Sequence, residues 1–296
     1  MPTVLRPLGN TGVMVPALGI GTWQHRGGIQ PIRRAVELGA AFVDTAESYG
    51  TEELVGEAIQ GLRDQVFLAT KALPRHFRRR DLLAAAENSL RRLRTDRIDL
   101  YQLHWPNTTV PLAETMAAME ELVDSGKVRF IGVSNFSSRL LQRAQKSCRR
   151  HPIVSNQVRY SLWERTIETS GLLHQCRQLE VTVLAYSPLR SAGFRLSGST
   201  ISGRGAEAID EIARKYGKTP AQVALNWCLR HPHVVVLFQS NQVAHVEENC
   251  GAAGWDLEPE DAERLSRAVP YRARGRSERG LRALGRWVAQ RMGRAV

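Results

Sequence analysis

The feature that most constrains this chain is a repeated pairing. A short apolar run is followed by an amphipathic helical stretch, eight times in succession. The runs are Ala17–Gly21, Phe42–Asp44, Val66–Thr70, Leu100–Leu103, Phe130–Val133, Val154–Val158, Val181–Tyr186 and Val234–Phe238. Helices are expected from Pro31, over Glu52–Gln60, Asp81–Arg94, Pro111–Asp124 and Ser138–Lys146, and near Thr169–Leu179. A pair follows over Ala206–Tyr216 and Pro220–Leu229, and a last one over Val243–Gly251. Within Asp81–Arg94, Leu82, Leu83, Ala86, Leu90 and Leu93 keep one face apolar. Near-continuous apolar runs read as strands of a parallel sheet covered on both faces. Eight such units match a (β/α)8 TIM barrel, an α/β fold of typically about 250 residues. An open doubly wound sheet is disfavoured, because Gly19-Ile20-Gly21-Thr22-Trp23-Gln24 lacks the third glycine of a dinucleotide fingerprint. Before the first unit, Leu5–Leu8 and Val13–Val15 flank the turn Gly9-Asn10-Thr11-Gly12 and read as a hairpin. Leu189–Gly205 is the longest irregular stretch and is expected to form a mobile flap on the functional side.

Against this frame, four polar residues stand at or just beyond the downstream ends of strands. They are Asp44 after Ala41-Phe42-Val43, Tyr49 in the loop that follows, Lys71 after Val66–Thr70, and His104 after Leu100–Leu103. The C-terminal ends of parallel strands all face one way, so these side chains converge on one mouth. A phenol, with a pKa of about 10, is a poor proton donor near neutral pH. A cation within about 4–6 Å lowers that value. Lys71 is the candidate cation, Asp44 the carboxylate that holds it, and His104 a second donor to the same oxygen. Such a set suits proton delivery to a developing alkoxide. Hydride would have to come from a cofactor, since no side chain supplies one. Taken alone, each residue has an ordinary structural explanation: a capped strand, a surface tyrosine, a solvated lysine, a half-buried histidine. Four together beside strand ends do not.

Composition excludes several other classes. No apolar run approaches the roughly 18 residues of a membrane span. The opening Met1–Arg6 lacks the basic-then-apolar plan of a secretion signal. Cys148, Cys176, Cys228 and Cys250 are scattered, as free thiols in a reducing compartment would be, so a cytoplasmic enzyme is expected. With no His-Glu-x-x-His and no cysteine cluster, no metal is expected. Gly132-Val133-Ser134-Asn135-Phe136 lacks the closing glycine of a nucleophile elbow. The loop arginines Arg75, Arg78, Arg79 and Arg80 form a basic patch able to attract anions.

Several segments, in order, resemble those of the aldo-keto reductase family. They are Phe42-Val43-Asp44-Thr45-Ala46-Glu47-Ser48-Tyr49-Gly50-Thr51-Glu52 through Gly56, Ala69-Thr70-Lys71, and Asp99-Leu100-Tyr101-Gln102-Leu103-His104-Trp105-Pro106. Ile131-Gly132-Val133-Ser134-Asn135-Phe136, Ser155-Asn156-Gln157-Val158-Arg159-Tyr160 and Ala185-Tyr186-Ser187-Pro188-Leu189 complete the run. The resemblance implies a (β/α)8 barrel that reduces aldehydes and ketones with a nicotinamide cofactor and no metal. It makes Tyr49 the proton donor, with Asp44, Lys71 and His104 as its partners. It assigns Ser134, Asn135 and Gln157 to the nicotinamide amide and Tyr186 to stacking on the ring. Gly21, Thr22, Ser187 and Leu189 would line the nicotinamide half and the pyrophosphate, with Asp44 also beside the cofactor. Trp23 and Trp105 would wall the substrate pocket together with Tyr49 and His104.

The adenosine end departs from the family pattern. Gln239, Ser240, His245, Glu248 and Asn249 fall where that end would be held, and Glu248 and Asn249 match the adenine-contacting end. The positions expected to be basic carry Gln239, Asn241 and His245, although a phosphate dianion is normally met by Arg or Lys. His245 and the start of helix Val243–Gly251 remain as phosphate partners. NADPH is the expected cofactor, with NADH as the alternative.

The chain is expected to divide into a barrel over 1–270 and an extension over 271–296. Beyond Tyr271 the extension holds eight arginines against Glu278, giving it +7 of the formal net charge of +12. Leu281, Leu284, Val288 and Met292 share one helical face, with Trp287 beside them. Such a segment would either pack on the barrel or contact an anionic membrane surface. No specific nucleic-acid partner is expected, and the chain is read as a monomer acting on a small carbonyl substrate. The alternative is a cofactor-binding regulatory or accessory subunit that interacts through this tail.

Overall fold

Each apolar run forms one stave of a closed parallel barrel. The computed structural model describes residues 3–189, 195–197, 200–202, 205–269 and 271. The N-terminal hairpin is β1 (Leu5–Pro7) and β2 (Met14–Pro16), paired antiparallel. The staves are β3 (Leu18–Gly21), β4 (Phe42–Asp44), β5 (Phe67–Ala72), β6 (Ile98–Leu103), β7 (Val128–Ser134), β8 (Ile153–Arg159) and β9 (Thr182–Tyr186). After the short antiparallel pair β10 (Arg195–Ser197) and β11 (Thr200–Ser202), β12 (Val234–Phe238) closes the ring between β9 and β3.

Helices wrap the outside: α1 (Gln30–Glu37), α2 (Glu52–Ala58), α3 (Arg79–Leu93), α4 (Leu112–Asp124), α5 (Ser138–Ser147), α6 (Thr166–Thr169) and α7 (Leu172–Gln178). They continue with α8 (Ala206–Tyr216), α9 (Pro220–Leu229), α10 (Val243–Cys250) and α11 (Pro259–Ala268). The Thr219–Gln222 capping box and Pro220 in the first turn fix the start of α9.

Side chains alternate along each stave, which sorts the apolar residues into two cores. Val43, Leu68, Tyr101, Leu103, Val133, Val183 and Val236 face outward and join the large core beneath the helices. Phe42, Phe67, Ala69, Leu100, Leu184 and Leu237 share the barrel interior with Leu8 and Val15 of the hairpin. The hairpin therefore plugs the N-terminal end of the barrel. Its turn is held there by Gly9 N–H donating to Thr182 Oγ1 (2.7 Å) and by the Thr182 hydroxyl donating to the Pro7 carbonyl (2.8 Å). Gly9 has φ +54°, and a Cβ would lie 3.0 Å from the Glu180 carbonyl oxygen, so a side chain at this position would strain the seating of the plug. Continuing the inward alternation toward the strand C-termini, apolar residues give way to Asp44, Lys71, Gln102, Ser134, Gln157 and Tyr186.

Three expectations need adjustment. The helix expected near Thr169–Leu179 is two helices, because Gly171 (φ +74°) breaks the turn between α6 and α7. Helix α11 was not anticipated. The stretch Leu189–Gly205 is not wholly irregular, since it contains β10 and β11; its remaining residues 190–194, 198–199 and 203–204, and with them the flap expectation, lie outside the described residues. The helical tail expected over 271–296 lies outside them too, apart from Tyr271. Its hydroxyl meets Thr166 Oγ1 at 2.7 Å, and its ring lies under the Arg165 guanidinium.

The plug makes a stability prediction. Leu8 is fully buried, so Leu8→Ala is expected to destabilise the fold by about 2–5 kcal/mol. The change should be read as a lower denaturant midpoint with an unchanged slope, at unchanged kcat, because the plug lies at the opposite end from the polar layer.

Candidate active site

The polar layer is built around a buried ammonium. Lys71 is fully buried on β5, and all three of its N–H groups have acceptors. Nζ donates to Asp44 Oδ2 (2.6 Å), to the Thr45 carbonyl (2.7 Å) and to the Tyr49 hydroxyl oxygen (3.4 Å). It also lies 4.8 Å from the centre of the Tyr49 ring. The other carboxylate oxygen, Asp44 Oδ1, accepts from Gln157 Nε2 (2.8 Å) and Gln102 Nε2 (3.3 Å). A buried charge pair persists only when its remaining hydrogen-bonding capacity is met, and here it is.

Tyr49 and His104 complete the group. His104 follows β6 with its ring edge-on to Tyr49, centroids 5.4 Å apart, and Nε2 lies 3.4 Å from the Tyr49 hydroxyl. Trp105 stacks on the imidazole, ring centroids 6.1 Å apart. The loop carrying Tyr49 is fastened at both ends. Before it, Glu47 accepts from the Leu73 backbone N–H and from His76 Nδ1 (3.0 Å). After it, the Thr51 hydroxyl meets those of Thr22 (2.9 Å) and Thr45 (3.0 Å). Glu52, buried on α2, accepts from the Thr70 hydroxyl (2.6 Å) and from Arg92 Nε (2.7 Å).

The electrostatics correct one expectation. Lys71 was expected to lower the Tyr49 pKa. Instead burial, aided by the Asp44 carboxylate, pushes the phenol well above its ordinary value. The physical reason is that burial penalises the charged phenolate, and the Asp44 carboxylate nearby disfavours a second negative charge. Tyr49 is thus a neutral O–H that keeps its proton at neutral pH. Burial likewise holds Lys71 below the ordinary lysine range, opposed by Asp44. Burial, and then the Lys71 charge, push His104 well below the usual histidine value, so the imidazole is neutral at pH 7.

A second set lies beside the tetrad. Ser134 ends β7, and its hydroxyl donates to the Gln157 carbonyl (2.9 Å). Asn135 sits in the left-handed region (φ +63°); its Nδ2 donates to Ser134 Oγ (2.9 Å) and to the His104 carbonyl (3.3 Å). The Tyr186 hydroxyl at the end of β9 donates to Asn135 Oδ1 (3.0 Å). Ser187 is also left-handed (φ +53°). Such non-glycine positions cost energy and persist where the surroundings fix them, commonly at functional sites. Gly21 and Thr22 stand at the end of β3, with half-buried Trp23 next, and Leu189 follows β9.

The residues expected at the adenosine end form a separate group, and among the described residues no hydrogen bond ties them to the tetrad. Gln239 and Ser240 follow β12, while His245, Glu248 and Asn249 lie on α10. Asn241 Oδ1 joins this group to the loop after β3 by accepting from the Arg26 backbone N–H (2.9 Å) and from Gln239 Nε2 (3.1 Å). Sequence reasoning missed Gln102, Ser48, Glu47 and Glu52. Gln102 carried a signal, as the one amide within the apolar run Asp99–Leu103, in phase with His104.

Comparison with known proteins gives a specific assignment. The model of the aldo/keto reductase family matches residues 17–269. The chain is 38% identical over 268 residues to methylglyoxal reductase YeaE of Escherichia coli (strain K12), covering 87% of this chain and 92% of that protein. It is 34% identical to aldo-keto reductase YhdN of Bacillus subtilis (strain 168), covering 86% and 90%. Among solved structures it is similar to an aldo-keto reductase from Klebsiella pneumoniae in complex with NADPH. That match has 38% identity and a TM-score of 0.80, over 93% of this chain and 98% of that one. A thermostable aldo-keto reductase bound to the inhibitor epalrestat matches with 40% identity and a TM-score of 0.82, over 90% and 99%. This chain belongs to the aldo/keto reductase family.

The raised phenol pKa can be measured directly. In an ultraviolet difference titration of wild type against Tyr49→Phe, the Tyr49 phenolate signal should be missing at pH 10, where a free tyrosine is half ionised. A tyrosine that ionises below pH 10 in that difference would contradict the burial argument.

Proposed function

We propose that the protein reduces an aldehyde or ketone to the alcohol, with NADPH as the reductant and Tyr49 as the proton donor. The observation that carries this reading is the phenol oxygen of Tyr49, flanked by the Lys71 ammonium and the His104 imidazole, at the C-terminal mouth of the barrel. The donor set suits a nicotinamide carboxamide, which needs both an acceptor and a donor to fix one ring face. Gln157 turns its Nε2 to Asp44 and so leaves Oε1 to accept from the carboxamide. Ser134 and Asn135 offer polar partners for the same group, and Tyr186, held by Asn135, offers a ring for stacking. When bound, the cofactor supplies hydride to the carbonyl carbon.

The chain's own residues do the rest. Tyr49 and His104 donate to the carbonyl oxygen and orient it, and Tyr49 passes its proton as negative charge develops there. Lys71, already within 3.4 Å of the phenol oxygen, stabilises the phenolate left behind. Asp44 keeps Lys71 charged despite its burial. Trp23 and Trp105 wall the substrate side and exclude water.

Toward the adenosine end, Gln239, Ser240, Asn241 and His245 offer hydrogen bonds to a 2′-phosphate but no Lys or Arg. The similar Klebsiella pneumoniae structure holds NADPH, and on that likeness we assign NADPH as the cofactor, with NADH as the alternative. The name of the Escherichia coli relative makes a small 2-oxoaldehyde the first substrate to try. The accessory-subunit reading finds no support in these relatives, which are named as reductases. We read 1–270 as the catalytic barrel and 271–296 as an appendage. All four cysteines are free, which favours a reducing compartment such as the cytoplasm; among the described residues no helix is long and apolar enough to cross a membrane.

Tyr49→Phe is expected to lower kcat by about 10²–10⁴ while the NADPH Kd stays near wild type. Steady-state kinetics and fluorescence titration of bound NADPH check both halves. Undiminished turnover would remove Tyr49 from the mechanism.

A further inference from the structure

The imidazole of His104 is neutral and carries a single N–H, while a hydroxyl group faces each of its nitrogens. Ser48 Oγ lies 3.4 Å from Nδ1, and the Tyr49 hydroxyl lies 3.4 Å from Nε2. Two proton arrangements are self-consistent. In one, Nε2–H donates to the Tyr49 oxygen and Ser48 donates its hydroxyl hydrogen to bare Nδ1. In the other, Nδ1–H donates to Ser48, and bare Nε2 accepts the Tyr49 hydrogen.

The phenol oxygen separates the two. It has two lone pairs and one hydrogen, and the Lys71 ammonium, which can only donate, takes one lone pair. With the proton on Nε2, the imidazole holds the second lone pair until a carbonyl oxygen arrives to accept that N–H, and the Tyr49 hydrogen is left free for the mouth. With the proton on Nδ1, the Tyr49 hydrogen is held by His104, and a lone pair faces the mouth instead. A lone pair cannot protonate an alkoxide. Proton delivery by Tyr49 therefore requires the Nε2–H tautomer, which leaves Nδ1 as a bare acceptor on a residue only 8% exposed. Buried acceptors are costly unless paired. Among the described residues, the Ser48 hydroxyl is the group within hydrogen-bond reach of Nδ1.

The ring cannot readily turn to find another partner. Its backbone is anchored by an N–H donating to the Ala72 carbonyl (3.0 Å) and a carbonyl accepting from Asn135 Nδ2 (3.3 Å), Trp105 stacks on the ring, and Tyr49 meets its Nε2 edge. The Lys71 charge favours a bare nitrogen on the Nε2 side, so a donor at Nδ1 is needed to oppose it. We propose that Ser48 is a positioning residue: by donating to His104 Nδ1 it keeps the imidazole proton on Nε2 and so leaves the Tyr49 proton free for the substrate. This inference rests on the carbonyl-reduction reading, and it adds a residue that acts through His104.

Nitrogen-15 NMR of histidine-labelled protein distinguishes the tautomers, with the His104 resonance assigned by its loss in His104→Gln. Wild type should show the Nε2–H pattern, without averaging, through neutral pH. Ser48→Ala should show averaged nitrogens or the Nδ1–H pattern, with kcat lower by about tenfold and the NADPH Kd within about twofold of wild type. Ser48→Thr, which restores a hydroxyl, should recover the wild-type pattern and most of kcat. An Nδ1–H pattern in wild type would overturn the inference. So would a Ser48→Ala protein with the wild-type pattern, whether or not its kcat falls. Failure of the carbonyl-reduction reading would look different: Tyr49→Phe would keep its turnover, whatever the nitrogen spectrum shows.

Discussion

The ion pair between Lys71 and Asp44 is the interaction on which the rest of the site depends. An ammonium with no exposure to water is tolerable only when its three hydrogens are met, and here they reach a carboxylate, a backbone carbonyl and a phenol. That requirement fixes the position of three elements at once. Strand β4 must bring Asp44 level with β5, the turn after it must offer the Thr45 carbonyl, and the Tyr49 loop must fold back over the mouth. The pair in turn gathers the amides of Gln102 and Gln157, since an ionised carboxylate only accepts. A single charge pair thus sets the proton-donor group and the amide orientation of its neighbour on β8.

The same pair explains why the tyrosine behaves unlike a simple cation-activated phenol. Burial first, and then the Asp44 carboxylate, hold the proton on Tyr49 although an ammonium lies beside it. This suits a donor better than a lowered pKa would. A phenol that ionised at neutral pH would have no proton to give. The ammonium acts after transfer, when a phenolate appears next to it.

Much of this was legible in the sequence, for identifiable reasons. The staves are nearly unbroken apolar runs because a parallel barrel buries both faces, and that pattern gives strand number and order directly. Asp44, Lys71 and His104 could be placed because each interrupts or ends such a run, and Tyr49 because it follows so closely. The electrostatic balance could not be read, since it depends on a 2.6 Å contact between residues 27 positions apart. Ser48, Glu47 and Glu52 were missed because they lie in a loop and a helix start, where polar residues are ordinary and spacing says nothing of partners. The break at Gly171 needed the left-handed backbone to be seen. Helix α11 had a readable start in Glu258-Pro259-Glu260-Asp261, with proline and acids in the first turn, but it follows the eighth unit, where the barrel pattern asks for nothing more.

The most direct test of the account is a crystal structure with NADP and acetate, whose carboxylate mimics the reacting oxygen. One acetate oxygen should lie within about 2.6–3.2 Å of both the Tyr49 hydroxyl and His104 Nε2, with Lys71 still paired to Asp44. Acetate bound away from the Tyr49 hydroxyl, or a Lys71 ammonium detached from Asp44 and Tyr49, would contradict it.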